Sequence, residues 1–283
     1  MRRIQISHKT RYSFAGSVTL GPHRLMLRPR EGHNLLIESS ELHVEPAATL
    51  RWHSDAFDNS IAVASFALPA SELIIASQVV VQHYDDTPFD FIVADHAVDY
   101  PFFYSQSEAA ILAPYLASTG HFSAAVGEWQ SSIWRAGEPI QTFGLLIRLN
   151  SRLRSDFSYQ AREEEGVQSP EETIIRRTGS CRDFANLFID VARSLGLAAR
   201  FVSGYLNTGA SAPYSGATHA WAQVYIPGAG WKGFDPTVGE LVGPNHIPVA
   251  VACSAVDVPP VSGTYYGAGA AVLSVSVDVK QIV

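Results

Sequence analysis

Apolar and polar positions alternate with a period of two over most of residues 2–84, and the period becomes helical from Ser105 onward. Ile4, Ile6, His8 and Thr10 alternate with charged and polar neighbours, as do Leu35-Leu36-Ile37-Glu38 and Leu42-His43-Val44-Glu45. Ile61–Phe66 and Leu73–Val81 are stronger strands still. Gly16, Gly21-Pro22, Arg30-Glu31-Gly32, Pro46 and Pro69 punctuate these runs. Short strands at regular spacing predict an antiparallel β-sandwich over residues 1–95. Asp85–Tyr104 is rich in proline and aromatics and reads as a linker packed onto the next domain. Helical spacing then covers a stretch led by Ser107-Glu108 with Pro114 inside it, His121–Ala136 and Pro139–Phe157. Arg162-Glu163-Glu164-Glu165-Gly166 reads as a solvated charged loop. Ser169-Pro170-Glu171-Glu172 is a capping box with proline at the first helical position, so a short helix runs to Arg177. Phe184, Leu187, Phe188, Val191, Ala192 and Leu195 form one stripe of a helix that ends at Gly196. The strands Leu197–Leu206, Ala217–Ile226 and Trp231–Thr237 come next, the last two joined by the turn Pro227-Gly228-Ala229-Gly230. Residues 96–283 therefore read as an α+β core with closing C-terminal strands.

The chemistry concentrates where Thr178-Gly179-Ser180 delivers Cys181 onto the first turn of the Phe184–Leu195 helix. Unpaired amides and the positive end of the helix dipole at such a terminus favour thiolate, the nucleophilic form of cysteine. A small buried core residue is the plainer role for a cysteine, but Cys181 precedes the apolar stripe instead of lying inside it. In the downstream hairpin, a residue early in the first strand lies across from one late in the second, so His219 and Asp235 become neighbours. A carboxylate on one imidazole nitrogen leaves the other to serve a thiol, which is the logic of a nucleophile–base–acid triad. His246 lies beyond the hairpin and reads as structural, since one base already fits.

Gly179-Ser180-Cys181-Arg182-Asp183-Phe184-Ala185, then Thr218-His219-Ala220-Trp221-Ala222-Gln223-Val224-Tyr225, then Gly230-Trp231-Lys232-Gly233-Phe234-Asp235-Pro236-Thr237 resemble, in this order, the core of the transglutaminase-like superfamily. The likeness is strongest to its bacterial branch of proteins described as cysteine proteases. It implies a papain-like α+β core with Cys181 as nucleophile, His219 as general base and acid and Asp235 as orienting acid. It also implies that the opening strands are the β domain accompanying this core, that Tyr159 in Phe157-Ser158-Tyr159 is the candidate oxyanion donor, and that Gly243–Val251 is the closing strand. Ser180, Arg182 and Asn186 depart from the commoner aliphatic residue, glutamine and histidine of that family. The implied activity is cysteine-dependent acyl transfer on amide, peptide or isopeptide bonds through a thioester, with water as the expected acceptor. Transfer to an amine, as in a transglutaminase or ligase, is the alternative within that chemistry. A protein-binding module on the same fold is the non-catalytic alternative.

Composition narrows these readings. At 47% hydrophobic and 17% charged residues the chain is that of a folded protein. A formal net charge of −7 gives no basic footprint for nucleic acid. Two cysteines are no disulfide framework. The run Gly267–Val279 is broken by Ser274, Ser276 and Asp278 and does not read as a membrane span, and the N-terminus reads as a strand and not a leader. A cytoplasmic location and a protein or peptide substrate are the expectations. The histidines of the β region lack ligand spacing, and no calcium-loop pattern is visible, so no metal or other cofactor is expected. Arg24, Arg28 and Arg30 around Pro29 read as a solvated edge or an interdomain contact.

Overall fold

The computed structural model describes residues 1–84, 89–117, 123–162, 164–207 and 216–282. Most of the small-residue loop expected over 207–216 lies outside them, as do residues 85–88 of the linker and the start of the second helical stretch. The N-terminal part holds β1 (Arg2–Leu25), β2 (Leu35–Glu45), β3 (Ala48–Ser54), β4 (Ser60–Phe66) and β5 (Ala70–His83). Then come β6 (Asp99–Tyr100), α1 (Gln106–Leu116), α2 (Ala124–Ile133), β7 (Ile140–Gln141), α3 (Thr142–Asp156), β8 (Ser158–Tyr159), α4 (Pro170–Arg176), β9 (Thr178–Gly179) and α5 (Cys181–Ser194). The chain continues with β10 (Ala199–Leu206), β11 (His219–Ile226), β12 (Gly230–Asp235), β13 (Glu240–Leu241), β14 (His246–Ala252), β15 (Val261–Tyr266) and β16 (Val272–Ile282).

The fold is α+β. Its N-terminal near-barrel is built around β1, whose first half pairs β5 and β16 and whose second half pairs β15 and β4, with the register shifting between Ser13 and Val18. Chain order alone assigns the C-terminal strands to the core, and here the structure differs. β15 and β16 both pair β1, with Arg3 opposite Ile282 and Leu25 opposite Val261. Alternation along a strand fixes which residues face inward but not which edge the strand joins. A strand as long as β1 offers ladder hydrogen bonds on both sides, and β16 satisfies the side that β5 leaves open.

The core sheet has the order β13-β12-β11-β10-β14 and is antiparallel throughout. Helix α5 is buried on nearly every side, because the sheet covers one face while α3 and α4 cover others. The single stripe expected for it understates this burial, which extends to Asp183, Asp190 and Arg193. Phe188 stacks on Phe234 of β12 at 5.4 Å, fixing the helix to the hairpin. Burial of each such side chain contributes about 1.5–3 kcal/mol. The described linker is pinned to the core at two tyrosines, Tyr100 donating to the Leu195 carbonyl and Tyr104 to that of Tyr225, both at 2.8 Å, while Phe89, Ile92 and Phe103 stay exposed.

The two parts share one apolar core that runs from Ile4, Ile6 and Val79 to Phe188 and Val249. Polar contacts set their register. His8, buried in β1, meets the Tyr205 hydroxyl of β10 through Nδ1 and the Thr10 hydroxyl through Nε2, each at 2.9 Å. Burial pushes its pKa down to about 4, so it serves as a neutral bridge. Arg30 is an interdomain residue through its backbone, its amide donating to the Pro248 carbonyl at 2.8 Å, while its guanidinium donates to the Phe57 carbonyl and Asn59 Oδ1 within its own part. Asn59 then pairs the outer edge of β14 as a peptide group would. Its Nδ2 donates to the Val251 carbonyl and its Oδ1 accepts the Val251 amide, both at 2.8 Å. Asn59→Ala leaves both backbone groups of Val251 buried without these partners and is expected to cost about 2–4 kcal/mol in chemical denaturation.

Candidate active site

The nucleophile candidate is placed by its immediate predecessors. β9 runs parallel to β8, with Tyr159 level with Gly179 and the Gln160 amide donating to the Gly179 carbonyl at 2.9 Å. A Cβ at Gly179 would meet Asp183 Cβ and the Phe184 ring at 3.0 Å, so a side chain there would push the chain off the helix it enters. Asp183, with no exposed surface, then locks the entry. Its Oδ2 accepts the amide and the hydroxyl of Ser180, each at 2.8 Å, and its Oδ1 accepts the Gln168 amide and Arg162 Nη1, each at 2.7 Å. Burial alone would raise this carboxyl, but the Gln168 and Ser180 donors and the Arg162 guanidinium outweigh it and hold it below the usual carboxylate range.

Ser180, Arg182 and Asn186 all serve this brace. Ser180 donates to Asp183, Arg182 Nη2 reaches the carbonyls of Arg162 and Glu164, and Asn186 Nδ2 donates to the Gln168 carbonyl at 3.1 Å. Arg162 and Gln168 are thereby held against the first turn of α5, while Glu164, Glu165 and Gly166 stay exposed, as the charged loop predicts. Cys181 itself is half-buried and therefore reachable.

His219 opens β11 and Asp235 closes β12, and the hairpin brings them together as their order implies. His219 Nε2 lies 2.6 Å from Asp235 Oδ2, with both residues buried. Burial is the largest influence on His219 and lowers its pKa, yet the charge and hydrogen bond of Asp235, joined by a side-chain hydrogen bond and charge from Cys181, push it up to about 10. Asp235 moves the opposite way, held well below the carboxylate range despite its burial. With Nε2 committed to Asp235, Nδ1 is the ring nitrogen that remains for the thiol.

His246, beyond the hairpin in sequence, adjoins the His219–Asp235 pair in space. It stands at the start of β14 with Nε2 3.0 Å from the same Asp235 Oδ2. Asp235 Oδ1 accepts the Thr237 amide at 2.9 Å. The ring of Trp221, fully buried, packs against His246 at 5.2 Å and lies 6.1 Å from His219. Gly204, opposite His219 on β10, makes room for it, since a Cβ there would meet the indole at 2.5 Å and the Ile247 carbonyl oxygen at 2.3 Å. Gln223, on the same strand face as His219, accepts Arg200 Nε at 2.8 Å. The single signal for His246 in the sequence is its place at the head of a strand that closely succeeds the hairpin.

The ligand atoms of His219, Asp235 and His246 lie within 4.8 Å of one another, a spacing that a cation also requires. The Gly243 amide donates to His246 Nδ1 at 3.2 Å, which puts the ring proton on Nε2. That nitrogen therefore has no lone pair for a metal, and the trio reads as a hydrogen-bonded chain.

Comparison with known proteins places this geometry. Residues 4–82 match the family described as bacterial transglutaminase-like N-terminal region, and residues 137–236 match the transglutaminase-like superfamily. An uncharacterized protein of Mycobacterium tuberculosis is 30% identical over 298 residues, covering 98% of this chain and 92% of its own length. An uncharacterized protein of Mycobacterium leprae is 25% identical over all of both chains. The crystal structure of a putative cysteine protease from Cytophaga hutchinsonii shares the fold, with a TM-score of 0.74 at 16% identity over 99% of this chain and 91% of that one.

The opposed shifts of the buried pair define a pH window. Asp235, depressed, contributes stability above its ordinary value of about 4 that is lost as pH falls; His219, raised, contributes stability below about 6.5 that is lost as pH climbs through about 10. The stability difference between wild type and Asp235→Ala is therefore expected to peak between about pH 4 and 6.5, at roughly 3–5 kcal/mol. It should shrink on both sides in denaturant titrations run across that range.

Proposed function

The chain belongs to the transglutaminase-like superfamily, and from that premise we propose that it is a cysteine-dependent acyl-transfer enzyme that hydrolyses amide or peptide bonds, isopeptide bonds included. The observation that carries this reading is one buried imidazole with Asp235 2.6 Å from Nε2 and a pKa raised by the Asp235 carboxylate and the nearby Cys181 side chain. In this reading His219 takes the thiol proton as Cys181 Sγ attacks the carbonyl carbon. The tetrahedral adduct collapses to a thioester as His219 passes the proton to the leaving nitrogen. Water then attacks the thioester, gives up a proton to His219, and releases the acid and the free thiol. Asp235 holds the imidazole in one tautomer and balances the charge it acquires.

Two donors suit the developing oxyanion. The amide of Cys181 stands in the first turn of α5, where helix amides lack intrahelical partners. Tyr159 lies level with Gly179, two residues before the nucleophile, and its hydroxyl is the side-chain candidate. Water is the acceptor we favour because the half-buried Cys181 is open to bulk solvent, with which any amine must compete for the thioester. A protein or peptide is the substrate class.

A screen of peptide and isopeptide substrates, run with and without added amines, tests this reading. Cleavage is expected in wild type, with Cys181→Ala and His219→Ala both falling to background. Amine incorporation in place of hydrolysis would establish the transferase alternative. Cys181 that iodoacetamide alkylates no faster than a simple thiol, together with activity unchanged in Cys181→Ala, would leave a binding module. Tyr159→Phe is expected to lower kcat by about 10²–10³-fold.

A further inference from the structure

Resting on the reading of Cys181 as nucleophile, we propose that His246 is a positioning residue of this site: a neutral imidazole that donates its Nε2 proton to the carboxylate oxygen that also holds His219. The carboxylate then has no freedom to turn. Oδ2 lies between two imidazole nitrogens at 2.6 and 3.0 Å, and Oδ1 accepts the Thr237 amide at 2.9 Å. Remove one of the three donors and the group can rotate about its terminal torsion, which is broad and soft. The imidazole of His219 would turn with it, away from the sulfur.

The tautomer of His246 is set by its own backbone surroundings. The Gly243 amide donates to Nδ1 at 3.2 Å while the His246 amide donates back to the Gly243 carbonyl at 2.9 Å, so the turn that starts β14 fixes both the ring and its proton. A neutral donor suits the role. A second cation on Asp235 would compete with the imidazolium that forms at His219, whereas a dipole restrains the carboxylate and leaves its charge to the catalytic ring. His246 cannot serve as a second base, because its acceptor nitrogen is occupied by the Gly243 amide and the ring is 4% exposed. The residues against the ring are Asp235, Trp221 and the strand-opening turn; across the carboxylate stands His219, with Cys181 beyond it. Buried donors are also what keep Asp235 ionised in a place where burial favours the neutral acid.

The test needs no substrate. The rate of Cys181 alkylation by iodoacetamide near neutral pH, read by peptide mass at that cysteine, is compared among wild type, His246→Leu, His246→Asn and His246→Gln. The glutamine amide reaches where Nε2 stood and can donate to Asp235; leucine cannot donate, and the asparagine amide falls short. The leucine and asparagine variants are expected to react about 10–100-fold more slowly, with glutamine restoring most of the rate. On any amide substrate found, the loss should fall in kcat with KM unchanged. Melting temperatures monitor the fold, and should leucine fail to fold, the asparagine and glutamine pair decides. A folded leucine or asparagine variant as fast as wild type overturns the proposal. So does a glutamine variant as slow as a folded asparagine one. A slow wild-type cysteine would instead overturn the nucleophile reading on its own.

Discussion

An ionised carboxylate with no access to water survives only where every lone pair of consequence is met by a donor. Transfer of such a group from water costs several kcal/mol, and geometry must offset it. Asp235 meets this condition with donors from three places: the head of β11, the head of β14 and the chain just beyond β12. Since β10 runs between β11 and β14, the carboxylate draws together strands that are not neighbours in the sheet. Gly204 on β10 is what permits this, by yielding its side-chain space to Trp221. The same contacts that complete the sheet at this end also aim the imidazole, so folding and preorganisation are one event here.

A second buried carboxylate acts in the same manner on the other partner. Asp183 gathers Ser180, Gln168 and Arg162 around the entry to α5 and fixes the backbone from which the thiol projects. The sulfur is thus positioned from the helix side and the imidazole from the sheet side, each by an acid with no contact with solvent. Neither acid relies on surface ion pairs, whose contribution is small and screened by salt.

Much of this was legible in the residues because the signals are local. The capping box at Ser169, the glycine at the end of α5, the alternation in β11 and the turn before β12 each specify backbone over a few residues. The approach of His219 to Asp235 follows from hairpin geometry alone. What the residues concealed depends on long-range packing. Asp183 looks like an ordinary polar residue in a helix's first turn until Arg162 and Gln168 fold across it. His246 looks redundant until two intervening strands bring it beside Asp235. The assignment of β15 and β16 to β1 is of the same kind, since alternation records a face and not a neighbour.

The pairing of β1 with β16 also bears on how the molecule is made. Arg3 and Ile282 are opposite one another in a finished ladder, so nearly the entire chain separates two strands that lie side by side. During synthesis β1 therefore leaves the ribosome long before one of its partners exists. Its outer edge stays uncovered while the helical half emerges. Closure of that edge is a late event with a large entropic cost, and the nascent N-terminal sheet has to be shielded from other strands until the last strand arrives.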